Sequence, residues 1–312
     1  MELRDFGNTS LRVSEFGLGC ARIGGVFQGN SRGFRDLLAY AFESGINFFD
    51  TADMYSQGES ESLLGRTFLA KRDRVVIASK VGYCLPTRRR LIARIKPLLR
   101  PAVQLLKIRR DRLPGAARGV ITQDFSPKYL RSAVEASLRR LRTDYLDVLQ
   151  LHSPAREVVE RGEWLPALEE LQRAGKVRYY GVAVDSVDAG LAAFAYPGVA
   201  SLQFRLSLLE PQGAEQLFPA AAARGTAGIA RECLANGLLA KPPEQIDLKA
   251  YSSSAEEQAH RAQQLEALRG EASARTVLQR ALDYPRSVPG VSVTLLGART
   301  LAQLASLLAA AR

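Results

Sequence analysis

Two periodicities alternate along the chain. Short apolar runs rich in β-formers recur between turn residues, and the stretches between them carry apolar residues every third or fourth position. The runs predict strands near Phe16–Gly19, Ile46–Phe49, Arg74–Ser79 and Tyr145–Leu151, and again near Arg178–Val184, Ala200–Phe204, Thr226–Arg231 and Ser292–Leu296. The helical spacing predicts helices over Gly33–Glu43, Glu59–Ala70, Pro127–Arg142 and Trp164–Ala174. It continues over Val187–Ala195, Ala214–Arg224, Ala255–Leu282 (with a break near Gly270) and Thr300–Ala311. Residues 1–14 hold two short extended pieces around the turn signal Gly7-Asn8-Thr9, which predicts a hairpin. Eight strands, each followed by a helix, define the α/β class and the count of a (β/α)8 TIM barrel. A doubly wound sheet fits less well, because Gly17-Leu18-Gly19-Cys20-Ala21-Arg22 does not complete G-x-G-x-x-G. A single barrel over 1–312 is the expected organisation.

One interval breaks the rhythm. The third strand and its helix stand about 45 residues apart, where such loops usually have 2–6. This insertion, 84–124, interleaves Arg88-Arg89-Arg90 and Arg109-Arg110 with leucines and isoleucines, which suits short amphipathic helices. It changes the reading of the net charge, +11 over 312 residues. Residues 84–119 hold eleven Lys and Arg against one acid, Asp111, so all but +1 of that charge sits in the insertion. A near-neutral body with one basic loop is not a nucleic-acid binder, and the loop has no aromatic residue to stack on bases. A solvated, partly disordered loop, a substrate lid, and a contact with an anionic membrane or acidic partner through 84–119 are the readings left for it.

The remaining composition narrows the class. No apolar run approaches the roughly 18 residues of a membrane span. Met1-Glu2-Leu3-Arg4 opens no signal peptide. Cys20, Cys84 and Cys233 are odd in number and far apart, so neither a disulfide framework nor a zinc site is expected, and a cytoplasmic location is. The two histidines, His152 and His260, argue against a histidine-based metal centre.

Chemistry gathers where the predicted strands end. Asp50 closes the second, Lys80 the third and His152 the fourth, and Tyr55 lies in the loop five residues past Asp50. In a parallel barrel that end carries the active site. A buried lysine needs a counter-charge, which Asp50 can supply. The spacing predicts that Lys80 lowers the pKa of Tyr55 from about 10, making a phenol that exchanges protons with a carbonyl or alcohol oxygen. Such a site still needs a hydride source. Read singly, each of these residues has a bland alternative: a turn aspartate, a surface tyrosine, a solvated lysine, a structural histidine.

Together, Gly45-Ile46-Asn47-Phe48-Phe49-Asp50-Thr51-Ala52-Asp53-Met54-Tyr55, the following Gly58-Glu59-Ser60-Glu61-Ser62-Leu63-Leu64-Gly65, Ser79-Lys80 and Asp144–His152 resemble the signatures of the aldo-keto reductases, in a bacterial-type member. The resemblance spans the chain apart from the basic insertion. It implies a catalytic tetrad of Asp50, Tyr55, Lys80 and His152, with Tyr55 as general acid. It implies NADPH/NADP, rather than NADH, as cofactor and a small-molecule carbonyl as substrate. The matching cofactor positions are Asp50, Gln203, Arg231, Leu234, Gly237, Leu238, Gly297, Arg299 and Gln303. Arg299, beside a helix N-terminus capped by Thr300, also favours a phosphate on physical grounds. The chain departs from the family at Ala183-Val184, where Ser-Asn is usual, at Arg231, where a tyrosine is usual, and around Ser306-Leu307, where Glu-Asn is usual. The resemblance leaves open a regulatory cofactor-binding barrel and a sugar or alcohol dehydrogenase, and a monomer or small homo-oligomer.

Overall fold

The computed structural model describes residues 1–24, 31–84, 122–252, 254–271 and 273–311. Most of the basic insertion, and with it any lid or docking role, lies outside the described residues.

Strands β1 (Leu3–Asp5) and β2 (Arg12–Ser14) pair antiparallel as the expected hairpin. The barrel is built from β3 (Phe16–Gly19), β4 (Phe48–Asp50), β5 (Val76–Val81) and β8 (Leu146–His152), followed by β9 (Val177–Ala183), β10 (Val199–Arg205), β11 (Ala227–Arg231) and β12 (Val291–Gly297). These eight close in the order β10-β11-β12-β3-β4-β5-β8-β9, each pairing parallel with the next. Between β5 and β8 stands a small antiparallel ribbon, β6 (Tyr83–Cys84) with β7 (Thr122–Gln123).

Helices α1 (Ser31–Glu43), α2 (Glu59–Thr67), α3 (Pro127–Leu141), α4 (Arg156–Arg161) and α5 (Leu165–Arg173) cover the first half of the barrel. The second half carries α6 (Val187–Ala193), α7 (Phe218–Ala223), α8 (Ala255–Gly270), α9 (Val277–Ser287) and α10 (Leu301–Ala310). Their ends follow local chemistry. Ser126 caps α3 by accepting from the Tyr129 N–H, with Pro127 at the first position. The expected helix over 255–282 is two helices, because Thr276 and Gln279 form a reciprocal capping box that starts α9 afresh. Between α2 and α3 the backbones nearly touch: a Cβ on Gly65 would lie 2.3 Å from the Leu141 carbonyl oxygen, so only glycine fits.

Strand alternation sorts the core into two bodies. Phe49, Ile77, Leu149 and Leu202 face the helices in the outer cluster. Phe48, Val76, Ala78, Val148, Ile229 and Val293 face inward and meet Phe6, Leu11 and Val13 of the hairpin, which plugs the N-terminal end. Complete burial of Phe6 contributes on the order of 1.5–3 kcal/mol to that plug. Further along the same strands the inward face turns polar. Asp50 follows Phe48 by two residues, Lys80 follows Ala78, Gln150 follows Val148, and Gln203 follows Ser201; all four polar side chains are buried. The barrel is therefore closed by hydrocarbon at one end and floored by hydrogen-bonding groups at the other.

Candidate active site

The floor begins with an ion pair. Lys80 Nζ donates to Asp50 Oδ1 at 2.7 Å and Oδ2 at 2.6 Å, and to the Thr51 carbonyl at 3.0 Å. Gln203 Nε2 donates to the same Asp50 Oδ1 at 2.8 Å and to Gln150 Oε1 at 3.3 Å, and Gln150 Nε2 donates to Ser201 Oγ at 3.2 Å. Asp50 is thus satisfied on both oxygens within a chain of buried amides. Burial alone would lower the Lys80 pKa, but the Asp50 carboxylate and then Tyr55 outweigh it and raise it, so the ammonium is kept.

Tyr55 reaches this floor from a turn over Tyr55–Gly58 in which Ser56 and Gln57 have φ of 50° and 63°. Non-glycine residues in that left-handed region are strained, and strain of this kind gathers where a side chain must be aimed. Ser60 ties the turn down: its hydroxyl pairs with Thr51 Oγ1 at 2.8 Å and donates to the Cys20 carbonyl at 3.1 Å. The Lys80 ammonium lies 5.3 Å from the centre of the Tyr55 ring. The His152 imidazole meets Tyr55 edge-on with centres 5.7 Å apart, and Tyr83 at 4.7 Å. Asp50, Tyr55, Lys80 and His152 are therefore brought together at the C-terminal rim.

The expected lowering of the Tyr55 pKa is corrected. Burial pushes the phenol above its usual 10; Lys80 pulls it back, but Asp50 opposes that pull. Burial outweighs both the lysine charge and the hydrogen bond that Lys80 makes with the phenol. His152 is pushed down to about 3, first by burial and then by Lys80 and Arg231. Its imidazole is neutral at physiological pH, and its Nδ1 is buried without a partner among the described residues.

The cofactor positions inferred from the sequence fall along the same rim. Gln203 belongs to the floor. Arg231 ends β11 and pairs with Asp185 and with Glu232, and donates to the Val184 carbonyl at 3.3 Å. Leu234 and Leu238 are buried and Gly237 stands at φ 97°, within a tight turn whose Gly237 N–H donates to the Leu234 carbonyl. Gly297 is the last residue of β12, with nothing within 4 Å of where a Cβ would sit. Arg299 is exposed at the start of α10, where Thr300 accepts from the Gln303 N–H and Gln303 Oε1 accepts from the Arg299 N–H. Cys20 and Cys233 are buried free thiols. No group able to hold a metal ion occurs among the described residues, nor a helix long and apolar enough to cross a membrane.

Sequence reasoning missed a second buried network behind Tyr55. Glu61, fully buried, accepts from Ser79 Oγ at 2.6 Å and from Arg140 Nε at 2.6 Å. Beside it Asp53 Oδ2 lies 3.4 Å from the Tyr129 hydroxyl, and Asp53 Oδ1 is buried without a partner among the described residues. Burial, then the Glu61 charge, pushes Asp53 from 3.8 up to about 7. The Gly58–Gly65 motif marked Glu61, but nothing in the sequence paired it with Arg140.

Asp53 yields a prediction. A folded-state pKa above the unfolded value means that the fold favours the protonated form. Its contribution is complete below 3.8 and is lost as pH rises through about 7. Asp53→Asn is expected to be more stable than wild type by about 1–2 kcal/mol at about pH 8, after discounting for partial exposure, and equal to it near pH 4. Thermal denaturation at both pH values checks this; a difference independent of pH would contradict it.

The fold and the rim define a parallel β/α barrel with an acid/base site over its C-terminal mouth. The sequence profile of the Aldo/keto reductase family matches residues 15–312, and the chain belongs to that family. It is 29% identical over 320 residues to pyridoxal 4-dehydrogenase of Microbacterium luteolum, spanning 97% of this chain and 91% of that protein. It is 28% identical over 309 residues to the uncharacterized oxidoreductase YqkF of Bacillus subtilis, spanning 97% and 89%. Among solved structures, the holo form of the aldo-keto reductase AKR11C1 from Bacillus halodurans matches with a TM-score of 0.79 at 27% identity, over 99% of this chain and 90% of that one. Membership carries carbonyl oxidoreduction with a nicotinamide cofactor as the class of activity.

Proposed function

We propose that the protein reduces an aldehyde or ketone to an alcohol with NADPH, in the cytoplasm, and that Tyr55 is its proton donor. The observation that carries this reading is the Lys80–Asp50 pair gripped at 2.6 and 2.7 Å beneath a phenol that keeps its proton. When bound, the cofactor supplies the hydride. Tyr55 then gives its proton to the carbonyl oxygen as negative charge develops there, and the Lys80 ammonium stabilises the phenolate left behind. His152, held neutral, keeps an N–H to orient the same oxygen. Asp50 fixes Lys80 and keeps the pair electrically balanced in a buried place.

The residues present fit a nicotinamide cofactor. Asp50 is an acceptor only, so it turns the Gln203 amino group toward itself and leaves Gln203 Oε1 as the end that accepts from a carboxamide. Arg299 and the start of α10 suit an adenosine phosphate, and the open backbone at Gly297 allows close approach. Arg231, Leu234, Gly237 and Leu238 line the turn between these two ends, the leucines through their backbone because their side chains are buried.

The dehydrogenase name of the Microbacterium luteolum relative favours a second reading, the same chemistry run toward oxidation. Loss of reduced-nicotinamide absorbance over a panel of neutral, carboxylated and phosphorylated carbonyls, with NADPH and with NADH, tests the proposal. Turnover with NADPH at least about 10-fold above NADH is expected. Cofactor binding without turnover of any carbonyl would favour a cofactor-binding protein instead.

A further inference from the structure

The ribbon β6–β7 stands just past Lys80, and Gln123 lies directly opposite Tyr83 in it. Gln123 is exposed, yet its Nε2 donates to the His152 carbonyl at 3.0 Å and to the Ser153 carbonyl at 2.8 Å. These carbonyls lie where the ladder ends: His152 is the last residue of β8 and pairs with Ala183, the last of β9. Past that point the chain turns sharply, with Ser153 at φ 52°. Backbone carbonyls that leave a ladder need other donors, and one amide side chain serves two in succession.

The imidazole itself is held differently from most functional histidines. Such rings are usually oriented by a hydrogen bond to one nitrogen. Here Nδ1 has no partner among the described residues, so backbone placement and ring packing must orient the side chain. Tyr83 supplies the packing, edge-on at 4.7 Å and 80°. The ribbon is itself braced. The Tyr129 hydroxyl donates to the Tyr83 carbonyl at 3.0 Å, and the Asp124 N–H donates to the Gly82 carbonyl at 2.8 Å. Gly82, at φ 139°, is a position where a Cβ would lie 2.3 Å from the Phe125 ring.

We propose that Gln123 is a positioning residue for His152: it fixes the backbone of the histidine from outside the barrel while Tyr83, from the facing strand of the ribbon, fixes the ring. The functional consequence rests on the role proposed above for His152. Reaction sites are sensitive to displacements of about 1 Å, so loosening this clamp acts on turnover more than on stability.

Gln123→Leu, an exposed substitution, is expected to lower kcat about 10-fold with Tm unchanged within about 2 °C. Gln123→Glu separates positioning from bulk. As a carboxylate it faces two carbonyl oxygens and cannot donate; protonated, it regains one hydrogen bond. Its kcat relative to wild type should recover as pH falls toward about 5, while that of Gln123→Leu stays flat. A readout independent of activity is available because the chain has only two histidines. In Gln123→Leu the imidazole NMR signals of His152 should shift and those of His260 should not. Unchanged His152 signals and wild-type kcat in Gln123→Leu would overturn the proposal. Undiminished turnover in His152→Gln would instead sink the role assigned to His152, leaving the NMR comparison to decide the positioning.

Discussion

Replacing Tyr55 by phenylalanine should lower kcat/KM for carbonyl reduction by about 10³-fold while leaving the fold and cofactor binding intact. General acid catalysis contributes roughly 10²–10⁴ to such reactions, and no neighbouring group can replace this one. Lys80 is gripped by Asp50 and Thr51, and His152 is pushed down to about 3, so neither carries a proton ready for transfer near neutral pH. The hydroxyl removed touches the floor only through its hydrogen bond with Lys80, whose ammonium keeps Asp50 and Thr51 as partners, so Tm should move by no more than about 2 °C. Steady-state kinetics beside a thermal melt check both halves; a loss below about 10-fold would mean that another group supplies the proton.

The second large effect falls on Lys80. Lys80→Met should abolish measurable turnover and also destabilise the protein by about 3–5 kcal/mol, because it strands a buried carboxylate. Asp50 would keep the Gln203 amide as a donor, which is too little to satisfy a carboxylate at 4% exposure. Pairing the change with Asp50→Asn removes the stranded charge. The double variant Asp50→Asn/Lys80→Met should regain most of the stability and none of the activity. Urea denaturation of the single and double variants measures this. A single variant as stable as wild type would mean that water reaches Asp50, and the electrostatic account of the site would fail with it.

These expectations rest on residues whose placement the sequence makes readable, for a physical reason. A strand buried on both faces is mostly apolar, so a titratable residue where such a run ends points to the barrel mouth. Asp50 and His152 end β4 and β8 in this way, and Lys80 lies one residue inside the end of β5. The eight strands were legible because the β and helical periods differ. The split between α8 and α9 was half legible: Gly270 showed a break, while the restart at Thr276 needed the Thr-x-x-Gln capping pattern to be read as a helix start.

What the sequence hid were pairings across long separations. The Tyr55 pKa turned first on how deeply the phenol is buried, which the strand and helix periods do not give. Glu61 and Arg140 are 79 residues apart, and Gln123 and His152 are 29 apart. In the sequence Gln123 is one polar residue on the way out of the basic insertion. Its two donated hydrogen bonds exist only because the ladder at His152 ends where the ribbon passes. The departures at Ala183-Val184 and Arg231 acquire a local logic as well: Asp185, just past the changed pair, is one of the two acids that hold the changed arginine, with Glu232.

The measurement closest to the central claim follows the hydrogen. NADPH deuterated at both C4 positions is incubated with the protein and the best carbonyl from the panel, and the alcohol is analysed by mass spectrometry. Reduction at this site predicts one deuterium on the carbinol carbon in the wild type, and no labelled alcohol above background from Tyr55→Phe. An alcohol without deuterium on that carbon, or the same labelled yield from Tyr55→Phe, would contradict it.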